Sequence, residues 1–95
     1  MSEWVGNIGD HTSAQVIFKG YVWRERWGND VPKLYILEDK DGNILTIRSK
    51  AKFTIGQGWK VYGTVKHHKV FRGQKQTHLS NWELMLSGKQ NGKPI

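Results

Sequence analysis

Apolar and polar residues alternate with a period of two along most of the chain, and the spacing of an amphipathic helix is absent. Residues 14–26 form the longest alternating segment and predict a first strand. Phe18 falls on one face of this strand, whereas Tyr21 and Trp23 fall on the opposite, outward face. Gly20 in mid-strand indicates a bend or bulge, because glycine there weakens a flat strand. The segment is therefore typical of a strand that curls around a small barrel.

The rest of the chain continues the same pattern. Further strands are predicted at residues 33–39, 43–48, 59–68 and 74–86. A tight turn at Asp41-Gly42 joins two of them, and residues 49–58 form a connector with at most one helical turn. Strongly curved strands without helices predict an all-β fold, a five-stranded Greek-key OB-type barrel over residues 1–86, with an SH3-like barrel as the alternative. Residues 87–95 are polar and predict a flexible tail.

Positive charge is concentrated in the second half of the chain. Residues 1–47 contain five Lys or Arg and seven Asp or Glu, whereas residues 48–95 contain ten Lys or Arg and a single acid, Glu83. A basic surface of this kind is expected for a polyanionic partner, since neutralised phosphates release their counterions. The alternative is a surface that only confers solubility.

Several functional classes find no support in the residues. The chain has no cysteine, so disulfides and thiolate metal sites are excluded. The N-terminus lacks the pattern of a secretory signal, and no apolar run is long enough to span a membrane. Asp39 and Asp41 are explained by their turn, and the adjacent His67 and His68 should point to opposite faces. We therefore expect no enzyme activity, no metal, no cofactor and no membrane partner, and a cytoplasmic location.

A sequence signature in the last predicted hairpin adds a resemblance. Residues 63–79 read GTVKHHKVFRGQKQTHL and resemble a pattern of OB-like modules in phage-type and mobile-element proteins, roughly GTVKxHxx(F/Y)xGxKQTxL. Residues 4–10 and 39–43 are similar to the same group, whereas residues 23–27 and 49–53 are more basic than the group suggests. The resemblance implies a nucleic-acid-associated module, often attached to a larger replication or helicase-type protein, in a bacterial or phage-infected host cell.

Basic and aromatic residues fall in both loops that border the usual OB binding face. Single-stranded nucleic acid is bound by cations for the phosphates and by rings on which bases stack. We predict single-stranded nucleic-acid binding, to DNA in particular, accessory to replication or recombination. The candidate residues are Tyr21, Trp23, Arg24, Arg26, Trp27, Arg48, Lys50, Lys52, Lys66, His68, Lys69, Phe71, Arg72, Lys75, Gln76 and His78.

Other interpretations of these residues stay open. The lysines of the last hairpin could protect a sheet edge from aggregation. An adaptor that binds acidic protein segments would need the cations but not outward rings, and RNA could replace DNA as the ligand. Four other large aromatic residues are instead expected in the core or as plugs of the barrel, namely Trp4, Phe18, Trp59 and Trp82.

Overall fold

Five strands account for the fold of the computed structural model, which describes residues 2–23 and 32–86. They are β1 (His11–Val22), β2 (Lys33–Asp39), β3 (Ile44–Ser49), β4 (Gly58–Phe71) and β5 (Gln74–Leu86). They form a closed barrel in the order β1-β2-β3-β5-β4, in which β3 and β5 are parallel and the other neighbours are antiparallel. The described residues contain no helix, and the predicted all-β, OB-type barrel is confirmed. The predicted tail, residues 87–95, lies outside the described residues.

Each strand contributes at least one fully buried apolar side chain to the core. The alternation seen in the sequence turns every second residue inward, as a pleated strand requires. The inward residues include Phe18, Leu37, Leu45, Val61 and Leu79, one from each strand in chain order. Their burial closes the barrel around a single core.

An aromatic side chain from the connector between β3 and β4 extends this core. The Phe53 ring centroid lies 4.7 Å from that of Phe18 and 5.1 Å from that of Tyr35. Trp59 and Trp82 pack edge-on against the same ring, at 6.2 and 6.3 Å. The sequence analysis expected Trp59 and Trp82 at the core but treated the connector only as basic, so the role of Phe53 as their common partner was missed.

A bulge in β1 changes the face on which one predicted site residue lies. Phe18 pairs with Leu37 and Gly20 with Ile36, so an extra residue sits between the two pairs. The bend expected near Gly20 is thus confirmed. Beyond it, Tyr21 pairs with the buried Tyr35, and their ring centroids lie 5.8 Å apart. The inserted residue reverses the alternation, so Tyr21 lies beside Tyr35 and not on the face opposite Phe18, whereas its ring is exposed as predicted.

A two-residue turn joins β4 to β5. Arg72 and Gly73 both have positive φ angles, 52° and 77°, as a type I′ turn requires. Phe71 and Gln74 pair directly across it. The twist of this turn matches that of the flanking strands, so β4 continues to Phe71 rather than ending near His68 as the sequence pattern predicted.

Candidate nucleic-acid interface

Two histidines and a threonine lie side by side across β4, β5 and β3, with His67 exposed, His78 half-buried and Thr46 fully buried. The register pairs His78 of β5 with Thr46 of β3 on one side and with His67 of β4 on the other. Thr46 Oγ1 and His78 Nδ1 are 2.9 Å apart and share a hydrogen bond. The rings of His67 and His78 are nearly parallel, with centroids 6.1 Å apart. These three residues mark the centre of the candidate interface.

Cationic side chains surround this centre. Arg48 follows Thr46 by two positions on β3, and Lys69 follows His67 by two on β4, so both share the outer face. Lys66 sits at the register irregularity between Val65 and His67 and is exposed. Burial, followed by the nearby Lys69, Arg48, His67 and Lys66 in that order of effect, lowers the pKa of His78 to about 4. The ring is therefore neutral at pH 7 within a positive surround.

The hairpin tip adds an exposed ring to the cations. Phe71 is 52% exposed, and the guanidinium carbon of Arg72 lies 5.2 Å from its ring centroid. This separation is typical of a cation–π contact. A ring and a guanidinium held together can take a base and its phosphate, respectively.

The apolar part of the outer face comes from β2. Leu34 pairs with Arg48 and Ile36 with Thr46, so both apolar side chains lie on the face of the histidine centre and are half-buried. Tyr35, between them, is buried in the core. Because β2 is apolar on both faces, alternation in the sequence does not show which of Tyr35 and Ile36 faces the core. Only the register with β3 separates them.

Two predicted site residues lie on the other side of the hairpin. The His68 ring stacks on Trp4 with centroids 4.8 Å apart, and its Nε2 lies 3.0 Å from a backbone carbonyl of the N-terminal segment. Lys75 forms an ion pair with Glu3 at 2.9 Å. Gln76 is buried beside β3. His68 and Lys75 thus contact the N-terminal segment on the reverse side of the hairpin. Gln76 pairs with Lys69 and lies two positions from His78, so its buried side chain lies on the side of the outer face.

The remaining predicted residues are spread around the barrel. Lys50 and Lys52 are exposed on the connector after β3, and Trp23 is exposed just after β1. Tyr21 has the Lys33 ammonium 5.3 Å from its ring centroid. Three predicted residues lie outside the described part of the chain, namely Arg24, Arg26 and Trp27.

The acidic side chains near this face are few or already paired. Glu38 lies at the far end of β2 and is 3.5 Å from Lys19. Glu83 pairs with Tyr62 in the half of the β4–β5 hairpin that also pairs with β1, away from the histidine centre. Asp39 accepts hydrogen bonds within its own turn. The surround of His78 is thus dominated by positive charge.

Within residues 2–23 and 32–86, no three His, Asp or Glu side chains come together as potential metal ligands. The described chain also contains no helix long and apolar enough to cross a membrane. No protein-family model, curated protein or solved structure matches the sequence.

Proposed function

We propose that this protein binds single-stranded nucleic acid, DNA in particular, on the outer face of β2, β3, β5 and β4. One observation carries the proposal: exposed cations, an exposed ring and the neutral His78, stacked against His67, share one face of the barrel. Single-stranded binders combine a cationic track for the backbone with rings on which bases stack. The OB-type barrel commonly uses this face for the purpose.

The backbone of the ligand would follow the cations around the histidine centre. Arg48 lies on β3, on one side of His78, and Lys66 and Lys69 lie on β4, on the other side; in the proposal these cations neutralise phosphates of the strand. Each neutralised phosphate releases condensed counterions, so affinity should fall steeply as salt rises. Contacts to phosphate carry no sequence information by themselves, so sequence preference should be weak.

The bases would be held by the apolar and aromatic parts of the face. Phe71 at the hairpin tip offers a ring face for stacking, supported by the neighbouring Arg72. Leu34 and Ile36 offer apolar contact on the other side of the centre. Bases would thus be retained by stacking and apolar contact, which every base can make.

His78 would serve as a hydrogen-bonding group rather than as a cation. Its lowered pKa, about 4, keeps the ring neutral at pH 7. Thr46 engages its Nδ1, and we assign the Nε2 atom to a base edge or a sugar of the ligand. A phosphate placed among the cations would offset their charge and raise the pKa of His78.

The sequence resemblance of residues 63–79 supports the same assignment. The resembling modules are nucleic-acid-associated and occur in phage-type and mobile-element proteins, so a role accessory to replication or recombination fits. In that role the barrel would act beside, or as part of, a larger replication protein.

Fluorescence anisotropy with end-labelled oligonucleotides tests the proposal. Oligo-dT, oligo-rU and a DNA duplex are titrated at low and near-physiological salt. We expect tighter binding of the single strands than of the duplex and a clear loss of affinity with salt. Lys69→Gln should flatten the salt dependence, whereas Lys60→Gln, on the same strand but away from the histidine centre, should not. If both variants have the same affinity and the same salt dependence, the ligand binds at another part of the surface.

The same titration separates two other ligands. Preference for oligo-rU would make RNA the ligand, recognised through its 2′-hydroxyl groups. Failure to bind any oligonucleotide would contradict the proposal and favour an adaptor for acidic protein segments. An adaptor of that kind should bind a polyglutamate peptide through Lys69 and be insensitive to Phe71→Ala.

A further inference from the structure

The β4–β5 hairpin extends beyond the strands that flank it. β1 pairs with β4 only from Gly58 to Thr64, and β3 pairs with β5 only from Gln76 to His78. Within the described strands, residues 70–75 therefore have only each other as strand partners, and Lys69 pairs with Gln76, at the end of the β3–β5 pairing. An isolated two-stranded hairpin is marginally stable in water. Residues 69–75 include Lys69, Phe71 and Arg72, on which the proposed interface depends.

The N-terminal segment, residues 2–10, lies against this hairpin, and we call it the strap. Ser2 Oγ donates to the carbonyl oxygen of Lys75 at 2.6 Å and accepts from the Ile44 amide at 2.9 Å. The Val5 amide donates to Thr77 Oγ1 at 2.8 Å. Together these bonds tie one end of the strap to β3 and β5.

The other end of the strap is fixed to β4. The Gly9 amide donates to the carbonyl oxygen of Val65, and the Val65 amide donates to the carbonyl oxygen of Asp10, both at 2.8 Å. These two bonds resemble a short strand pairing beyond the end of β1. The strap is therefore held at both ends and crosses the hairpin between them.

Trp4 lies between Ser2 and Val5, at the first end of the strap, and contacts both strands of the hairpin. Its ring stacks on His68 of β4 with an interplanar angle of 5°. The Lys75 ammonium of β5 lies 4.9 Å from the Trp4 ring centroid and pairs with Glu3. The indole Nε1 donates to the carbonyl oxygen of Lys69 at 3.0 Å. One side chain thus engages the hairpin by stacking, cation–π contact and hydrogen bond.

The contacts of Trp4 act on the reverse side of the proposed interface. Neighbouring residues of a strand point to opposite faces, so His67 and Lys69 face the ligand side while His68 faces Trp4. The bond from Trp4 ends on the backbone of Lys69 itself. A rotation of the hairpin about its axis would break these contacts and displace the cations.

We infer that Trp4 is a positioning residue of the proposed interface, which it serves by holding the hairpin in its binding orientation. The inference rests on the proposed function. If a fraction of the molecules loses this orientation, the apparent affinity falls by that fraction. No phosphate contact is removed, so the dependence of affinity on salt should stay the same.

The test replaces Trp4 and compares it with a matched aromatic residue. Trp4 and Tyr62 have nearly equal exposure, 38% and 37%, but Tyr62 lies in the part of β4 that pairs with β1. Trp4→Ala should weaken oligo-dT binding by about fivefold to tenfold with an unchanged salt slope. Trp4→Phe, which keeps the ring, should recover most of the loss, and Tyr62→Ala should bind like the parent. If Trp4→Ala does not fold, Trp4→Leu replaces it.

Hydrogen exchange of the free protein separates positioning from general destabilisation. In Trp4→Ala the amides of residues 67–76 should lose protection, while those of core residues such as Leu37 and Leu45 should keep it. Unchanged affinity, or an equal loss of protection throughout the barrel, would overturn the inference. A parent protein that binds no oligonucleotide would overturn the proposed function and the binding role of Trp4. The exchange data would still decide whether the strap orders the hairpin.

Discussion

The histidine at the centre of the interface should make folding stability depend on pH. Burial, followed by the nearby Lys69 and Arg48, lowers the pKa of His78 from 6.5 to about 4. The unfolded chain lacks this environment, so between these pH values it takes up a proton that the folded state does not bind. The contribution of the neutral ring to the free energy of unfolding is thus fully present above pH 6.5, and it is lost as the pH falls toward 4.

The size of this effect follows from the two pKa values. Their difference corresponds to at most about 3.4 kcal/mol, at about 1.36 kcal/mol for each pKa unit. The His78 ring is only half-buried, and solvent screens its repulsion by the lysines. We therefore expect a loss of about 1–2 kcal/mol of unfolding free energy across the window.

Urea unfolding of the parent and of His78→Gln, near neutral pH and near pH 4.5, measures the loss. The free energy of unfolding of the parent, relative to that of His78→Gln, should fall by about 1–2 kcal/mol between neutral pH and the lower pH. An NMR titration of the His78 ring should give a midpoint near 4. Lys69→Gln should raise that midpoint, whereas Lys60→Gln should leave it unchanged. A midpoint at 6.5 or above, or a difference in stability that does not vary with pH, would refute the reasoning.

Three further substitutions test separate parts of the structure. Phe71→Ala should weaken oligo-dT binding at every salt concentration by about 1–3 kcal/mol, measured by anisotropy, because one stacking contact is lost; unchanged affinity would exclude Phe71 from the interface. Leu45→Ala should lower the unfolding free energy by about 2–5 kcal/mol in urea, since this side chain is fully buried in the core. Gly63→Ala should cost about 1–3 kcal/mol in the same assay, because an added Cβ would lie 3.2 Å from Leu79 Cβ and 3.3 Å from the Ser80 carbonyl oxygen; a neutral effect would show that β5 can shift without penalty.

The alternation of apolar and polar residues along the chain was sufficient to predict the barrel. Residues 33–39 and 74–86 were predicted with the bounds that the structure gives. The reason is that each of these strands meets a turn with its own sequence signal, the Asp-Gly turn after β2 and the glycine-containing turn before β5. Alternation also indicated Phe18 as a core residue, as observed.

Side-chain orientation was less predictable, because it depends on register and on distant contacts. One extra residue near Gly20 moved Tyr21 to the face of Tyr35. His68 and Lys75 appeared as members of the basic hairpin, yet both are engaged by the strap, more than sixty positions away in sequence. A single sequence carries no local signal for such contacts. The histidine centre was found only in part: His78 was predicted, whereas His67 and Thr46 were not. The irregularity between Val65 and His67 decides which of the two adjacent histidines faces His78, and Thr46 enters through the parallel pairing of β3 with β5.

NMR mapping of the bound oligonucleotide tests the central claim most directly. Amide and side-chain resonances of the isotope-labelled protein are followed as oligo-dT is added at low salt. We expect the largest shifts at Arg48, His67, His78 and Phe71, with little change at Tyr62 and Met85 on the part of the barrel that faces away from the histidine centre. Shifts confined to Tyr62 and Met85, or no shifts at all, would contradict the assignment of the outer face to single-stranded nucleic acid.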